Sequence, residues 1–561
     1  MLQRISGLPS ETILDSLRFL PELLLCVGIV VMLFLRLFLR SGRMHMGWTA
    51  LVFTLVGLAV AVLQWDAENY VGLESPARSA LNRVQTMYAG LLVYDHFTLF
   101  LRCFLLGFAA LIVWLSMLTG IPDREDSADF YCLLLGATLG MAIMASANHL
   151  MMVFIGVEMA SLPSYALAGY LKGRRQSSEA ALKYVVYGGG SAGIMLYGIS
   201  LLAGKFGTGF LPDVAVGYVH AMYPVAGGGL VFDPLLVLGT LFILIGIACK
   251  LAAVPFHFWC PDVFEGASAE IAGFLSVASK GAALALLARV TLVLGGLDPQ
   301  VGPPGAAPWL NVVQYLVPAL AFFAALTATF GNLAAYLQNN LKRLLAYSTI
   351  AHAGYMMMGL ATLTRRGSEA VLFYLVAYLL MNLGAFAVVA FLRQETGSEN
   401  LEDYRGLVRR SPWMVVTLAF FLLSLLGIPP LVGFAAKFQV FSVLFDEGRY
   451  YYRIGQDGLG ATLLGLLVIG GLNSVLSAVY YLKVLKVMIL EQRAEDLEGR
   501  EPQRLHERVP TVVYSGLLAL AVLVLGVLWA PLDLVSRTGM VRFRAQPSGG
   551  AVAARNAEAR R

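Results

Sequence analysis

The chain has 561 residues, 58% hydrophobic and 13% charged, with a formal charge of +5 and a mean hydropathy of +0.73. A soluble domain carries about 25% charged residues, so the composition excludes an ordinary soluble enzyme and fits a polytopic helical membrane protein. The charge is small and the arginines fall mostly between apolar stretches, so it reads as membrane topology rather than nucleic-acid affinity.

Apolar segments near spanning length recur along the chain. The stretch after Arg4 is polar, and the first apolar run, Leu17 to Phe38, has the roughly 20 residues a span needs, so no cleavable leader is expected. The first four predicted helices cover 15–38, 47–65, 93–119 and 128–147. The next four cover 150–171, 178–204, 233–258 and 267–295, and the last six 310–332, 340–363, 368–392, 412–445, 459–488 and 510–532. With the N-terminus outside, the odd-numbered loops hold roughly seventeen basic residues against about seven in the even ones, which places both termini outside. The basic, Ala/Gly-rich tail beyond Pro531 is expected to be disordered.

Two of the fourteen helices look broken. GIACKLAAVPFHFW carries Pro255 after Lys250, and GIPPLVGFAAKF carries Pro429, Pro430 and Gly433 before Lys437. Proline removes a backbone bond and clashes with the preceding turn. Inside a membrane the freed carbonyls must be buried in protein or face water. One break with one lysine in each half is a pointer to inverted repeats around an ion path; an ordinary kinked helix is the plainer reading.

Four ionisable residues stand deep in apolar stretches: Glu158, Lys250, Lys280 and Lys437. A charge at that depth costs several kcal/mol and usually has a task. Residues three and four positions away share a helix face, and there none of the four meets a counter-ion. One carboxylate cannot balance three ammoniums, so at least one lysine is expected to be neutral for part of a cycle, able to accept and release a proton. The bland alternative is a set of static ion pairs.

Softer candidates surround them. Lys183 either reaches Glu158 or snorkels to the interface. His257 and His352 either bridge lysines through water or are hydrogen-bonded packing residues. Glu22 and Asp95 sit at helix starts, where an acid favours the dipole; capping is the simpler reading and a subunit contact the other. Pro261 to Gly266 looks like a cytoplasmic turn. The five cysteines form no CxxC pair or metal cluster, and no phosphate or dinucleotide loop is present. Gly188–Gly190 suits close helix packing.

These stretches resemble a known family. IGVEMASLPSYALAGY, EAALKYVVYGGGSAGIMLYG, KLAAVPFHFWCPDVFEGA, LKRLLAYSTIAHAGYMMMG, AYLLMNLGAFAVVAF and GIPPLVGFAAKF are similar to the N-type subunits of bacterial NADH:quinone oxidoreductase (respiratory complex I), one of its three antiporter-like membrane subunits. The resemblance covers roughly residues 90 to 490. It implies an all-α fold of about fourteen transmembrane helices, with two inverted five-helix repeats and broken helices 7 and 12. The implied divisions are a three-helix segment 1–125, a first repeat 126–300, a second repeat 301–490 and a last helix with tail 491–561.

The resemblance also assigns roles. Glu158 matches the acid of helix five, Lys250 the lysine of broken helix seven, Lys280 the central lysine of helix eight and Lys437 the lysine of broken helix twelve. The M-type sibling has a glutamate at that last position. Relatives often carry prolines where this chain has Ser268-Ala269-Glu270, which leaves Glu270 to tune Lys280 or to meet a neighbouring subunit.

The implied activity is proton translocation by a non-redox subunit of the translocase. No cofactor is expected in this chain, with NADH, FMN, iron–sulfur clusters and quinone held by partner subunits. K-type and M-type neighbours, the lipid bilayer and, indirectly, the quinone pool are the implied partners, in a bacterial inner membrane and without nucleic acid. The rivals are a subunit of a multi-subunit Mrp-type cation/proton antiporter and a scaffold with inert charges.

Overall fold

The computed structural model describes residues 10–38, 46–71, 85–122, 126–222, 233–294, 308–492, 499 and 505–543; of the tail expected to be disordered beyond Pro531, the first part is instead helical to Thr538, and the residues after 543 lie outside the described ones. The chain begins with α1 (Ser10–Arg18), α2 (Leu20–Phe38) and α3 (Gly47–Val71). A short antiparallel hairpin, β1 (Gln85–Met87) and β2 (Leu92–Tyr94), pairs Gln85 with Tyr94. Next come α4 (His96–Thr119), α5 (Ser127–Ser146), α6 (Leu150–Ala168), α7 (Arg175–Phe206), α8 (Leu211–Met222), α9 (Pro234–Leu251) and α10 (Trp259–Gly266). One rod follows, made of α11 (Ala269–Phe274), a π turn (Leu275–Ser279) and α12 (Lys280–Leu294). The rest is α13 (Pro308–Ala335), α14 (Leu341–Ala361), α15 (Arg365–Thr396), α16 (Pro412–Leu426), α17 (Val432–Arg453), α18 (Asp457–Ile489), α19 (Val509–Val527) and α20 (Ala530–Thr538).

Among the described residues, 12 helices are long and apolar enough to cross a membrane. They are joined by α14, which is 21 residues long but less apolar, and by the pair α16 and α17. All fourteen predicted segments therefore have a helical counterpart. The structure adds the hairpin, α8 and α10, and separates α1 from α2.

Burial sorts the helices. The rod Ala269–Leu294 is buried throughout its apolar window, whereas α2, α3, α7 and α18 are buried over only 28% of theirs. A helix apolar on all sides must be enclosed. Here the rod is packed by α4, α5, α6, α8, α9, α10, α14 and α15. Its three charged positions, Glu270, Lys280 and Arg289, are thus shielded from lipid.

Both predicted breaks are sharper than kinks. The helix expected over 233–258 stops at Leu251, because Ala252 turns left-handed (φ 55°). The Ala253 N–H closes back on Ala248 O at 2.9 Å. Pro255 follows a cis peptide outside any α-helix. The helix expected over 412–445 divides at Gly427, whose φ of 93° suits a residue without a Cβ. The Ile428 N–H returns to Leu423 O at 3.2 Å. At Gly433 a Cβ would lie 1.8 Å from Ser424 O, so only glycine lets α17 start this close to α16.

Candidate functional site

The site begins on α6, where Glu158 and Ser161 share a face. Lys250, in the last turn of α9, is 6% exposed. Its Nζ donates to Ser161 Oγ at 3.0 Å and lies 5.8 Å from the Tyr184 ring centroid. Glu158 Oε1 is buried without a hydrogen-bond partner. The acid and the amine thus act on each other through space, with no ion pair closed between them. The carbonyl of Cys249, freed by the break, is taken by Trp259 Nε1 at 2.9 Å.

The centre is Lys280. The π turn immediately before it is a local widening of the kind that recurs at functional sites. Asn382 on α15 donates to Ser276 Oγ inside that turn. Lys280 is 1% exposed, and among the described residues its Nζ meets no oxygen acceptor; the buried Cys260 thiol lies beside it. The Ser279 hydroxyl, the Tyr378 hydroxyl and His257 Nδ1 are likewise buried without partners. Such groups are rare in folded proteins and call for an explanation such as internal water.

His352 stands between the centre and the second break. Its Nδ1 lies 2.8 Å from Tyr374 OH and its Nε2 3.2 Å from Tyr481 OH. Tyr481 continues to Ser348 Oγ at 2.5 Å. One tyrosine donates and the other accepts if the imidazole is neutral. Lys437, 5% exposed, donates to Leu426 O at 2.9 Å, the last carbonyl of α16. Its Nζ also sits 4.8 Å from the Tyr355 ring centroid. A cation there meets both the negative end of the helix dipole and an aromatic face.

Two buried arginines were not singled out by the sequence. Arg102 on α4 binds Glu22 at 2.5 Å, and Arg289 on α12 holds Asp95 through both guanidinium nitrogens at 2.9 and 3.1 Å. Asp95 also caps α4 by accepting from the Thr98 N–H at 2.8 Å. Static buried pairs therefore exist here: Arg102 and Arg289 each make one, and buried Lys342 makes another with Glu399. Among the described residues, no carboxylate reaches ion-pair distance of Lys250, Lys280 or Lys437. Arginine cannot release its proton in a protein, whereas a buried lysine can.

Other candidates are placed elsewhere. Lys183 pairs with Asp262 at 2.6 Å and Glu179 at 2.7 Å, not with Glu158, and is 37% exposed. Asp262 and Glu265 lie on helix α10 rather than in a turn, and both bind Arg343 at 2.7 Å. Burial alone would push the Asp262 carboxyl up; Lys183 and Arg343 outweigh it and hold it below the ordinary value. Glu270, 2% exposed, stands in the first turn of α11, inside this chain. Lys342, at the start of the helix expected over 340–363, is 1% exposed. It is held by Ala267 O at 2.7 Å and Glu399 at 2.9 Å.

Comparison with known proteins gives the arrangement its context. The NADH:quinone oxidoreductase/Mrp antiporter transmembrane family matches residues 147–454. A protein of Anaeromyxobacter sp. (strain Fw109-5), named NADH-quinone oxidoreductase subunit N, is 38% identical over 542 residues, covering 96% of this chain and 99% of the relative. A chain of respiratory complex I from Thermus thermophilus with bound aureothin superposes with a TM-score of 0.68 and 30% identity, covering 92% of this chain and 98% of that one. A chain of the Mrp complex from Dietzia sp. DQ12-45-1b has a TM-score of 0.75 at 19% identity, over 97% and 99%; this likeness shows the fold. On the matched family, the identity and the coverage, the chain belongs to the NADH-quinone oxidoreductase subunit N family.

Proposed function

We propose that the chain is a proton-translocating, antiporter-like membrane subunit of an NADH:quinone oxidoreductase. It couples quinone reduction elsewhere in the complex to proton transfer through Glu158, Lys250, Lys280 and Lys437. The observation that carries the relay is a division among the buried charges of the described residues: Arg102, Arg289 and Lys342 are locked to carboxylates, and Lys250, Lys280 and Lys437 are not. The buried polar groups around Lys280, including His257, and the His352–tyrosine chain toward Lys437 supply the intervening proton contacts.

In this mechanism Glu158 stabilises the charged form of Lys250 through space. When the complex weakens that influence, Lys250 releases its proton toward Lys280. Lys437 passes it on at the second break. Moving one charge against the membrane potential costs about 2.3 kcal/mol per 100 mV, within reach of rearranging two charge pairs in a medium of low dielectric. The two breaks, each beside a lysine, belong to two inverted five-helix repeats at 126–300 and 301–490. Lys183 and Glu270 are accessory: Lys183 ties α7 to α10 through Asp262, Glu270 is a buried acid at the start of the rod, and both lie outside the path.

The chain performs no redox step itself; NADH, FMN, iron–sulfur clusters and quinone belong to partner subunits. Its neighbours are K-type and M-type membrane subunits, and both termini face the periplasm of a bacterial inner membrane. The likeness to the Mrp chain is one of fold, and the higher identity to subunits N favours the redox-linked complex. Affinity purification of the tagged chain from its native membrane tests this reading. Co-purification with NADH:quinone oxidoreductase subunits is expected, and recovery with cation-antiporter subunits alone overturns it.

A further inference from the structure

A second charged feature lies far from the relay, where the last turns of α17 meet the start of α15. Arg366, Asp446, Glu447, Arg449, Tyr450 and Arg453 line a cavity of about 420 Å³, within the size range of small-ligand sites. Three arginines against two carboxylates leave one positive charge in surplus. Arg366 is occupied by Asp446 at 3.2 Å. Among the described residues, Arg449 and Arg453 have no ion-pair partner, and Arg449 rests over the Phe445 ring, 5.4 Å from its centroid.

The cavity stands at the top of an aromatic stripe. Phe434, Phe438, Phe445 and Tyr452 are 43%, 52%, 44% and 42% exposed. Their spacings of four and seven residues keep them on one helix face. Phe441, on the same face, packs against Tyr355 and interrupts the stripe midway. From Phe438 to Arg449 the helix rises roughly 16 Å, about half of a ~30 Å hydrocarbon core. A headgroup held at Arg449 would therefore lay one leaflet's depth of acyl chain alongside that stretch.

We infer that this cavity and stripe form a site for an anionic phospholipid. The phosphodiester would meet Arg449 and Arg453, with the Tyr450 hydroxyl as a further donor, and an acyl chain would lie along Phe445 and Phe438. Guanidinium forks suit phosphate oxygens. The surplus charge of one matches a single phosphodiester. This assignment is independent of the proton relay.

The test uses the assembled complex in detergent micelles and two photoreactive probes with the same acyl chains, a phosphatidylglycerol and a diacylglycerol. Phosphatidylglycerol is expected to label the segment 434–453 roughly tenfold more strongly, the worth of one charge-assisted hydrogen bond. Arg449→Gln with Arg453→Gln should reduce it to the diacylglycerol level, and the paired lysine variants should retain part of it. NADH:quinone turnover confirms that each variant complex is assembled. Equal labelling by both probes, or labelling that survives the glutamine variants, overturns the site. Displacement by millimolar inorganic phosphate makes it a soluble-anion site instead. Protection of the stripe by a cross-linked neighbouring subunit overturns the lipid as occupant.

Discussion

Replacing Lys280 by methionine separates stability from transport. Among the described residues, the buried Lys280 Nζ meets no oxygen acceptor and no carboxylate at ion-pair distance. An ammonium in that position carries a desolvation penalty of several kcal/mol. Methionine has nearly the same length, adapts to irregular space and costs less than about 1.5 kcal/mol as a volume-conserving change. The balance is neutral or stabilising, up to about 4 kcal/mol by analogy with apolar replacement of buried charges. The path meanwhile loses its central titratable group. In proteoliposomes containing the whole complex, NADH oxidation and vesicle acidification are measured together, with the half-life of activity on heating read separately. Protons moved per electron should fall while thermal half-life is kept or lengthened. An unchanged ratio refutes the relay. A complex destabilised by more than about 2 kcal/mol refutes the reading of Lys280 as unpaired, because loss of a pair costs about 3–5 kcal/mol.

Arg289→Met is expected to do the opposite: it strands Asp95, costs about 3–5 kcal/mol and should deplete the assembled complex on native gels. Gly427→Ala places a Cβ 3.1 Å from Lys437 Cδ at a φ of 93°. The left-handed backbone alone costs about 1–2 kcal/mol, and loss of the Lys437–Leu426 bond should lower pumping per electron; normal pumping would contradict the role of the break. His352→Phe removes both tyrosine contacts and should slow proton transfer while leaving assembly intact, read as the same fall in vesicle acidification. Asp262 tests pH dependence at the clamp of α7, α10 and α14. Its folded carboxyl is held below the ordinary value, so it stabilises above about pH 4 and loses that contribution as pH falls through the folded value. Asp262→Asn should therefore be less heat-stable near neutrality and converge with the parent in acid; a gap that persists in acid would contradict the clamp.

Hydropathy and punctuation disclosed the fourteen apolar segments, because lipid exposure demands long apolar runs. The internal polar chemistry was less legible. Arg102 and Arg289 escaped notice because their acids, Glu22 and Asp95, lie on other helices, and sequence spacing reports only partners on the same helix. Ser161 could have been found, since it sits three residues after Glu158 on one face. Tyr374 and Tyr481 look like any apolar-helix tyrosine until His352 is placed between them. Lys342 opens a helix, where a cation can face water, and nothing nearby in sequence discloses Ala267 and Glu399, which hold it inside. Lys183 drew attention as a possible partner of Glu158, yet Asp262 and Glu179 lie nearer.

The central claim is that unpaired amines inside this chain change protonation during turnover. Nitrogen-15 NMR of Nζ-labelled lysine in the assembled, lipid-embedded complex distinguishes amine from ammonium. The methionine variants of Lys250, Lys280 and Lys437 assign the three signals. At least one signal is predicted to report neutral amine and to change population when NADH and quinone are supplied. Three signals fixed as ammonium under both conditions would contradict the account.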